Sequence, residues 1–236
     1  MKYFKYGVVL SRLSAEDIEL LRIKRNSEEV RRFMDYREDI TPEMQVKWFD
    51  KINNFNNFYF IIQYNDEKIG LLHDNDIDWE AKTSFSGLYL WEQKYINTFV
   101  PTLVSLCSIE VAYYLLGWNK TTIKIMNDNK QAIQYAKMLG YVEDEESDNG
   151  NHKHYYLLKE NFEKNCSKIR KAAEALTQNM KYKDVGMLLE PQDYVSGLAQ
   201  KMEKIVLENI SGVIKTETEH GVYYTLKPLK INNEIK

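Results

Sequence analysis

The sequence predicts a mixed α/β (α+β) domain over residues 1–160, with a mostly antiparallel sheet flanked by helices. A C-terminal appendage of two helices and a β-hairpin is predicted over 161–236. Three observations carry this. The apolar period switches from helical to strand-like at Phe58 and back to helical near Pro101. Three strand-like runs follow one another between Phe58 and Leu90, as antiparallel neighbours joined by short turns do. Beyond residue 160 the texture changes again, to apolar stripes at helical spacing.

Helices come first. Ser14, with Asp17 in the capping-box place, opens a segment with apolar Ile18, Leu21, Val30 and Phe33, which Asn26-Ser27 breaks in two. Thr41-Pro42 is a cap followed by proline at the first helical position, and Met44, Trp48, Phe49 and Ile52 continue it. Phe58–Tyr64 is aromatic and β-branched and predicts a strand. Asn65-Asp66-Glu67 is a turn, and Lys68–His73 is the hairpin partner. Polar Asp74–Glu80 predicts a second turn, and Thr83–Leu90 a third strand. A helix then runs from Pro101 through Leu103, Leu106, Val111 and Leu115 to Gly117. Thr121–Met126 is a strand, Asn129–Leu139 a helix closed by Gly140, and Tyr155–Leu158 the core of a last strand. In the appendage, Phe162, Cys166, Ile169, Ala173, Leu176 and Met180 make one stripe; Val195, Leu198, Met202, Ile205 and Val206 make another. Val213–Lys215 and Val222–Leu226 flank a turn at Glu219-His220-Gly221. Such a unit buries little alone, so it is expected to pack on the first domain or to form a homodimer.

Composition narrows the function classes. Apolar residues at 44% and charged residues at 28% exclude a wholly disordered chain. A net charge of −3 speaks against a nucleic-acid-coating surface. No run approaches the ~18 apolar residues that span a bilayer. Cys107 and Cys166 make neither a metal-site spacing nor a disulfide framework, and no signal peptide is visible at Met1–Tyr6. The expectation is a cytoplasmic protein with no nucleic-acid or membrane partner and no metal.

Four pieces of sequence then combine. The first is Val9-Leu10-Ser11-Arg12-Leu13, with Asp17 and Leu21 behind it. The second is Arg25-Asn26-Ser27-Glu28-Glu29-Val30-Arg31, followed by Ile40-Thr41-Pro42-Glu43, Gln45 and Trp48-Phe49. The third is the strand pair Lys68-Ile69-Gly70 and Gly87-Leu88-Tyr89-Leu90. The fourth is Asn129, Ala132 and Leu139-Gly140-Tyr141. In this order, residues 8–160 resemble the GNAT acyltransferase superfamily. The similarity is greatest to its branch of ribosomal-protein alanine acetyltransferases and amino-sugar-nucleotide N-acetyltransferases.

The resemblance implies a chemistry. The family's fourth and fifth strands splay apart, and the main chain of the fourth pairs with the pantetheine arm of acetyl-CoA. That places Leu88, Tyr89 and Leu90 on the arm, with Asn129 near it. The next loop, normally Gln/Arg-x-x-Gly-x-Gly/Ala, holds the pyrophosphate at a helix N-terminus. Here it falls on Ile96–Pro101, which brings Asn97, Thr98 and Phe99 beside the phosphates; neither motif glycine is present, and Pro101 has no N–H. Lys94 or Lys120 could add a point charge. The family's leaving-group Tyr would fall on Ala136, so Tyr135, about 100° around the helix, is the candidate acid. Glu92, after the fourth strand, is the candidate base.

Other features have two readings each. Asp74, Asp76 and Asp78 either attract a cationic acceptor or form a solvated turn; Trp79 in the required Gly place excludes an EF-hand. His73 is a base or a satisfied surface residue. His152-x-His154 has no companion ligands for zinc. Arg25, Arg31, Arg32 and Arg37 meet a phosphorylated substrate or face solvent. Cys107 is read as a packing residue. Two functions follow. One is an acyl-CoA-dependent N-acyltransferase, with acetyl-CoA as co-substrate and a small-molecule or peptide amine as acceptor, an amino-sugar nucleotide or a protein N-terminus. The other is a degenerate GNAT-fold binding or scaffolding module without that activity. A similar fold using another donor, such as an aminoacyl group, is a third.

Overall fold

The computed structural model describes residues 1–32 and 34–227, so Phe33 lies outside the described residues. It opens with an unforeseen hairpin, β1 (Lys2–Lys5) and β2 (Val8–Arg12). The sequence hides it because Lys2 and Lys5 break the apolar alternation, yet Lys5 is buried. Next come α1 (Ile18–Asn26), α2 (Glu28–Arg31) and α3 (Pro42–Ile52). Ser27 is extended between the first two, at the expected break. Thr41 caps α3 by accepting from the Met44 N–H at 3.3 Å. On α3 the buried residues are Gln45 and Phe49, whereas Met44 is exposed.

The antiparallel strands β3 (Phe58–Tyr64), β4 (Glu67–Asp78) and β5 (Thr83–Leu90) follow. Asn65 and Asp66 both have positive φ, as a tight hairpin turn requires. The predicted turn at Asp74–Glu80 is corrected: β4 continues to Asp78, with a register shift between Asn75 and Asp78. An irregular strand carries polar residues without breaking the pairing. Then come α4 (Gln93–Ile96), α5 (Val100–Tyr114), β6 (Lys120–Met126) and α6 (Lys130–Leu139), which Gly140 closes in the left-handed region. The sequence reading has no counterpart for β7 (Val142–Asn149), an acidic edge strand paired with β8 (His152–Leu158). Charge on an edge strand deters further pairing and also masks the strand pattern.

Residues 161–227 extend the same sheet. Helix α7 (Lys159–Leu176) leads to β9 (Gly186–Leu189), α8 (Pro191–Val195), α9 (Leu198–Asn209), β10 (Ile214–Thr218) and β11 (Gly221–Thr225). The second predicted helix is thus two, parted at Gly197, and Val195 is 91% exposed rather than core. Strand β9 lies between β1 and β11, giving the order β10-β11-β9-β1-β2-β3-β4-β5-β6-β8-β7. Among the described residues all strand pairings are antiparallel except β5 with β6. Alternation sends Phe60, Ile62 and Leu72 to a large core with residues of α5, α6, α7 and α9. Ile61 and Leu71 go to a smaller core with Leu21, Val30 and Phe49.

A buried charge cluster joins the two ends of the chain. Glu110 of α5, 1% exposed, accepts from Tyr6 at 2.6 Å and from Arg170 Nε at 2.9 Å, and also pairs with Lys5. Removing one partner of such a set strands the others in low dielectric. Glu110→Ala is therefore expected to cost about 3–5 kcal/mol, measured by urea unfolding. An unchanged midpoint would show that the cluster contributes nothing.

Candidate active site

The one parallel pairing is short. Thr83, Ser84 and Phe85 pair with Lys120, Thr121 and Thr122, and there the contact ends. Each strand goes on with its other neighbour, β5 with β4 to Leu90 and β6 with β8 to Met126. The Trp91 indole N–H donates to the Lys68 carbonyl at 2.8 Å, which fastens the end of β5 on the β4 side. The facing edges of 86–90 and 123–126 thus lack a strand partner, and a row of main-chain donors and acceptors borders the gap.

One face of the sheet at this gap carries Asp74, Ser84 and Ser86, the α5 side. Asp74 pairs with Ser86 across β4 and β5. Its carboxylate accepts from the Ser86 hydroxyl, and Ser84 Oγ lies at 3.4 Å. Burial pushes the Asp74 carboxyl up to about 6, against the lowering pull of the two serines. The solvated-turn reading of Asp74 is thereby corrected. The signal that finds it is its parity with Leu72, two residues back on the same face. Tyr135 lies on this side too. Its hydroxyl is 2.9 Å from Ser105 Oγ and 3.2 Å from the Pro101 carbonyl, and burial raises its pKa.

The start of α5 is built without glycine. Thr98 Oγ accepts from the Val100 N–H at 3.1 Å and donates to the Tyr95 carbonyl at 2.7 Å. Pro101 has no N–H, and the Leu103 N–H reaches the Phe99 carbonyl at 3.1 Å. Thr102 therefore supplies the open amide of the first turn. Asn97, Thr98 and Phe99 are exposed beside it. Lys94 is held by Glu67 at 2.6 Å, and Lys120 lies 6.0 Å from the Tyr156 ring. Asn129 caps α6, accepting from the Ala132 N–H at 3.1 Å. Leu88, Tyr89 and Leu90 lie on the splayed part of β5. Glu92 lies beyond it, with Lys24 of α1 at 2.9 Å. Leu88–Leu90 thus lie on the unpaired end of β5, Asn97–Phe99 precede α5, Tyr135 rests on the first turns of α5, and Glu92 pairs with α1.

The opposite face, under α1 and α3, holds His73. Its ring lies between Tyr59, at 5.6 Å, and Phe85, at 6.2 Å. It sits over Gly87, where a Cβ would fall 2.5 Å from Nε2, so a side chain there would displace the imidazole. Burial lowers the His73 pKa to about 4, so the ring is neutral near pH 7. Its Nδ1 is buried without a hydrogen-bond partner among the described residues, as are Tyr89 OH, Asn75 Oδ1, Arg25 Nη1 and Gln45 Nε2. These polar atoms are the features sequence reasoning missed, because spacing does not report whether a side chain is satisfied. At the rim, Asp35 pairs with Lys124 at 3.0 Å and His152 at 2.8 Å. No group of three or more His, Cys, Asp or Glu side chains suited to a metal occurs among the described residues. Burial raises the Cys107 thiol pKa.

The Asp74 shift predicts a pH effect. Its folded value lies above the ordinary 3.8, so the folded state holds the proton longer. Its contribution to stability is present below about pH 4 and lost as pH rises to about 6. Chemical denaturation of wild type and Asp74→Asn across pH 4–6 isolates it: the wild type should lose stability relative to the variant as pH rises. A pH-independent difference would contradict the assignment.

A family model described as the acetyltransferase (GNAT) domain matches residues 8–142. No curated protein matches the chain. Among solved structures, spermidine N-acetyltransferase from Vibrio cholerae in complex with CoA and spermine is similar at a TM-score of 0.56 and 17% identity, over 66% of this chain and 98% of that one. Apo FdhC, a nucleotide-linked sugar GNAT, is similar at 0.59 and 18%, over 72% and 96%. At these identities the structural likeness speaks for the fold alone. No described helix is long and apolar enough to cross a membrane. With the family model spanning more than half of the sequence and the fold agreeing, the chain belongs to the GNAT acetyltransferase family.

Proposed function

We propose that the protein is an acyl-CoA-dependent N-acyltransferase that transfers an acetyl group from acetyl-CoA to a primary amine. The observation that carries this reading is the splay of β5 from β6 after Phe85 and Thr122, beside the N-terminus of α5. Acetyl-CoA supplies the activated thioester. The unpaired main chain of Leu88, Tyr89 and Leu90 suits its pantetheine arm as an added strand. Asn97, Thr98 and Phe99, with the Thr102 amide, border the place for the pyrophosphate. Asn129 lies toward the arm.

Asp74 is the proton acceptor. A carboxylate poised near pH 6 can receive the amine proton through the Ser86 hydroxyl as the new N–C bond forms. The C–S bond then breaks, and Tyr135, oriented by Ser105, returns a proton to the departing sulfur. Glu92 is the second candidate base, on the side of Lys24. The acceptor is a small molecule or a peptide N-terminus, the setting cytoplasmic, and residues 161–236 a possible homodimer surface. One feature favours a second reading, a binding module without turnover: the 96–101 loop lacks both motif glycines, and its Val100 amide is already taken by Thr98.

Calorimetry with acetyl-CoA, with desulfo-CoA and ATP as controls, separates the two. Micromolar binding is expected; none up to ~1 mM, about −4 kcal/mol, moves the protein to the second reading. With a turned-over amine, Asp74→Asn should lower kcat by about 10²–10⁴-fold, and Glu92→Gln by less than tenfold. The reverse order would assign the base to Glu92.

A further inference from the structure

The face under α1 and α3 contains a cation without a partner. Arg25, near the end of α1, makes no hydrogen bond or ion pair among the described residues, and its Nη1 is buried. A guanidinium with five donors in a planar fork is seldom left so. Four carboxylates of this side of the molecule are held by other cations. Glu92 is held by Lys24 at 2.9 Å, Glu19 by Arg22 at 2.7 Å, Asp39 by Arg31, and Asp35 by Lys124 at 3.0 Å. Glu28 and Glu29, three and four residues on, are exposed and make no ion pair with Arg25.

Its neighbourhood is built for a ligand. Arg25 is near enough for its charge to act on Tyr89, whose buried hydroxyl is likewise unpartnered. Tyr89 lies on the splayed part of β5, where the thioester is proposed to sit. Farther along the same face come Tyr59, His73 Nδ1 and Asn75 Oδ1. Trp91 adds an aromatic edge beside Tyr89, with ring centres 6.2 Å apart. Neutral donors and acceptors, aromatic rings and the unpaired Arg25 guanidinium suit an anion, not a polycation.

Resting on the acyltransfer reading, we propose that the amine acceptor carries an anionic group, a carboxylate or a phosphate, which Arg25 binds from the α1 side while its amine points into the gap beside Tyr89. Arg25 is thus a specificity residue that excludes polyamines as preferred acceptors.

The test is direct binding, so it does not depend on turnover. Glucosamine 1-phosphate, β-alanine and spermidine are titrated into wild type, Arg25→Gln and Arg25→Lys, with acetyl-CoA titrated in parallel and melting temperatures recorded. The phosphate and carboxylate arms distinguish the two anion chemistries. The proposal expects at least one anionic amine to bind at least tenfold tighter than spermidine. Arg25→Gln should weaken that ligand at least tenfold, Arg25→Lys should keep part of the affinity, and both should leave the acetyl-CoA Kd unchanged. Tighter spermidine binding, no binding of either anion, or equal anion affinity in Arg25→Gln would overturn it. Failure of wild type to bind acetyl-CoA, with anionic amines still bound through Arg25, would sink the acyltransfer reading and leave the anion site standing.

Discussion

Three residue pairs of parallel ladder, Thr83–Phe85 against Lys120–Thr122, govern the rest of the molecule's chemistry. Had the ladder run on to Leu90, the sheet would be closed and its central main chain satisfied. Because it stops, each strand keeps one neighbour, and a polar seam remains between them. Such a seam is costly when buried dry, so its natural use is to receive an extended ligand. The Asp74–Ser86 pair lies on β4 and β5 beside that seam, and the Tyr135 hydroxyl is bound to the start of α5.

The rest of the fold holds this opening in place. Trp91 and the α1–α3 core anchor β5 from one face, while α5 packs on the other. Helix α5 is itself locked from behind. Glu110 ties it to Lys5 and Tyr6 of the opening hairpin and to Arg170 of α7. The C-terminal strands β9, β10 and β11 continue the sheet beyond β1, so the segment after residue 160 buttresses the side away from the gap. Chain ends and site are therefore coupled through one helix.

The two faces of the gap differ chemically. On the α5 face, a carboxyl poised near 6 and hydroxyls of serine, threonine and tyrosine suit proton movement. On the α1 face, a neutral His73, unsatisfied amide and phenol groups and Arg25 suit recognition.

Much of this was legible in the sequence. The period switch at Phe58, the Thr41-Pro42 cap and the Asn65-Asp66 turn all appear where the residues place them, because each is a local rule. The misses arise where tertiary context overrides the local pattern. Lys5 interrupts β1 but is neutralised by Glu110, a partner 105 residues away. Acidic β7 resembles a loop until β8 pairs with it. Asp74 resembles a turn until Ser84 and Ser86 lie opposite. The loop at Asn97–Phe99 is the instructive case: only the family resemblance points to it before α5, because backbone donors leave no mark in the side chains.

The central claim is that the splayed edge of β5 receives an acyl-CoA as an added strand. Amide hydrogen exchange read residue by residue, with and without acetyl-CoA, tests it most directly. Slower exchange is expected on addition of acetyl-CoA at amides within Gly87–Leu90, where the edge lacks a partner, with little change in the paired segment Thr83–Phe85. Unchanged exchange along Gly87–Leu90 at saturating acetyl-CoA would contradict it.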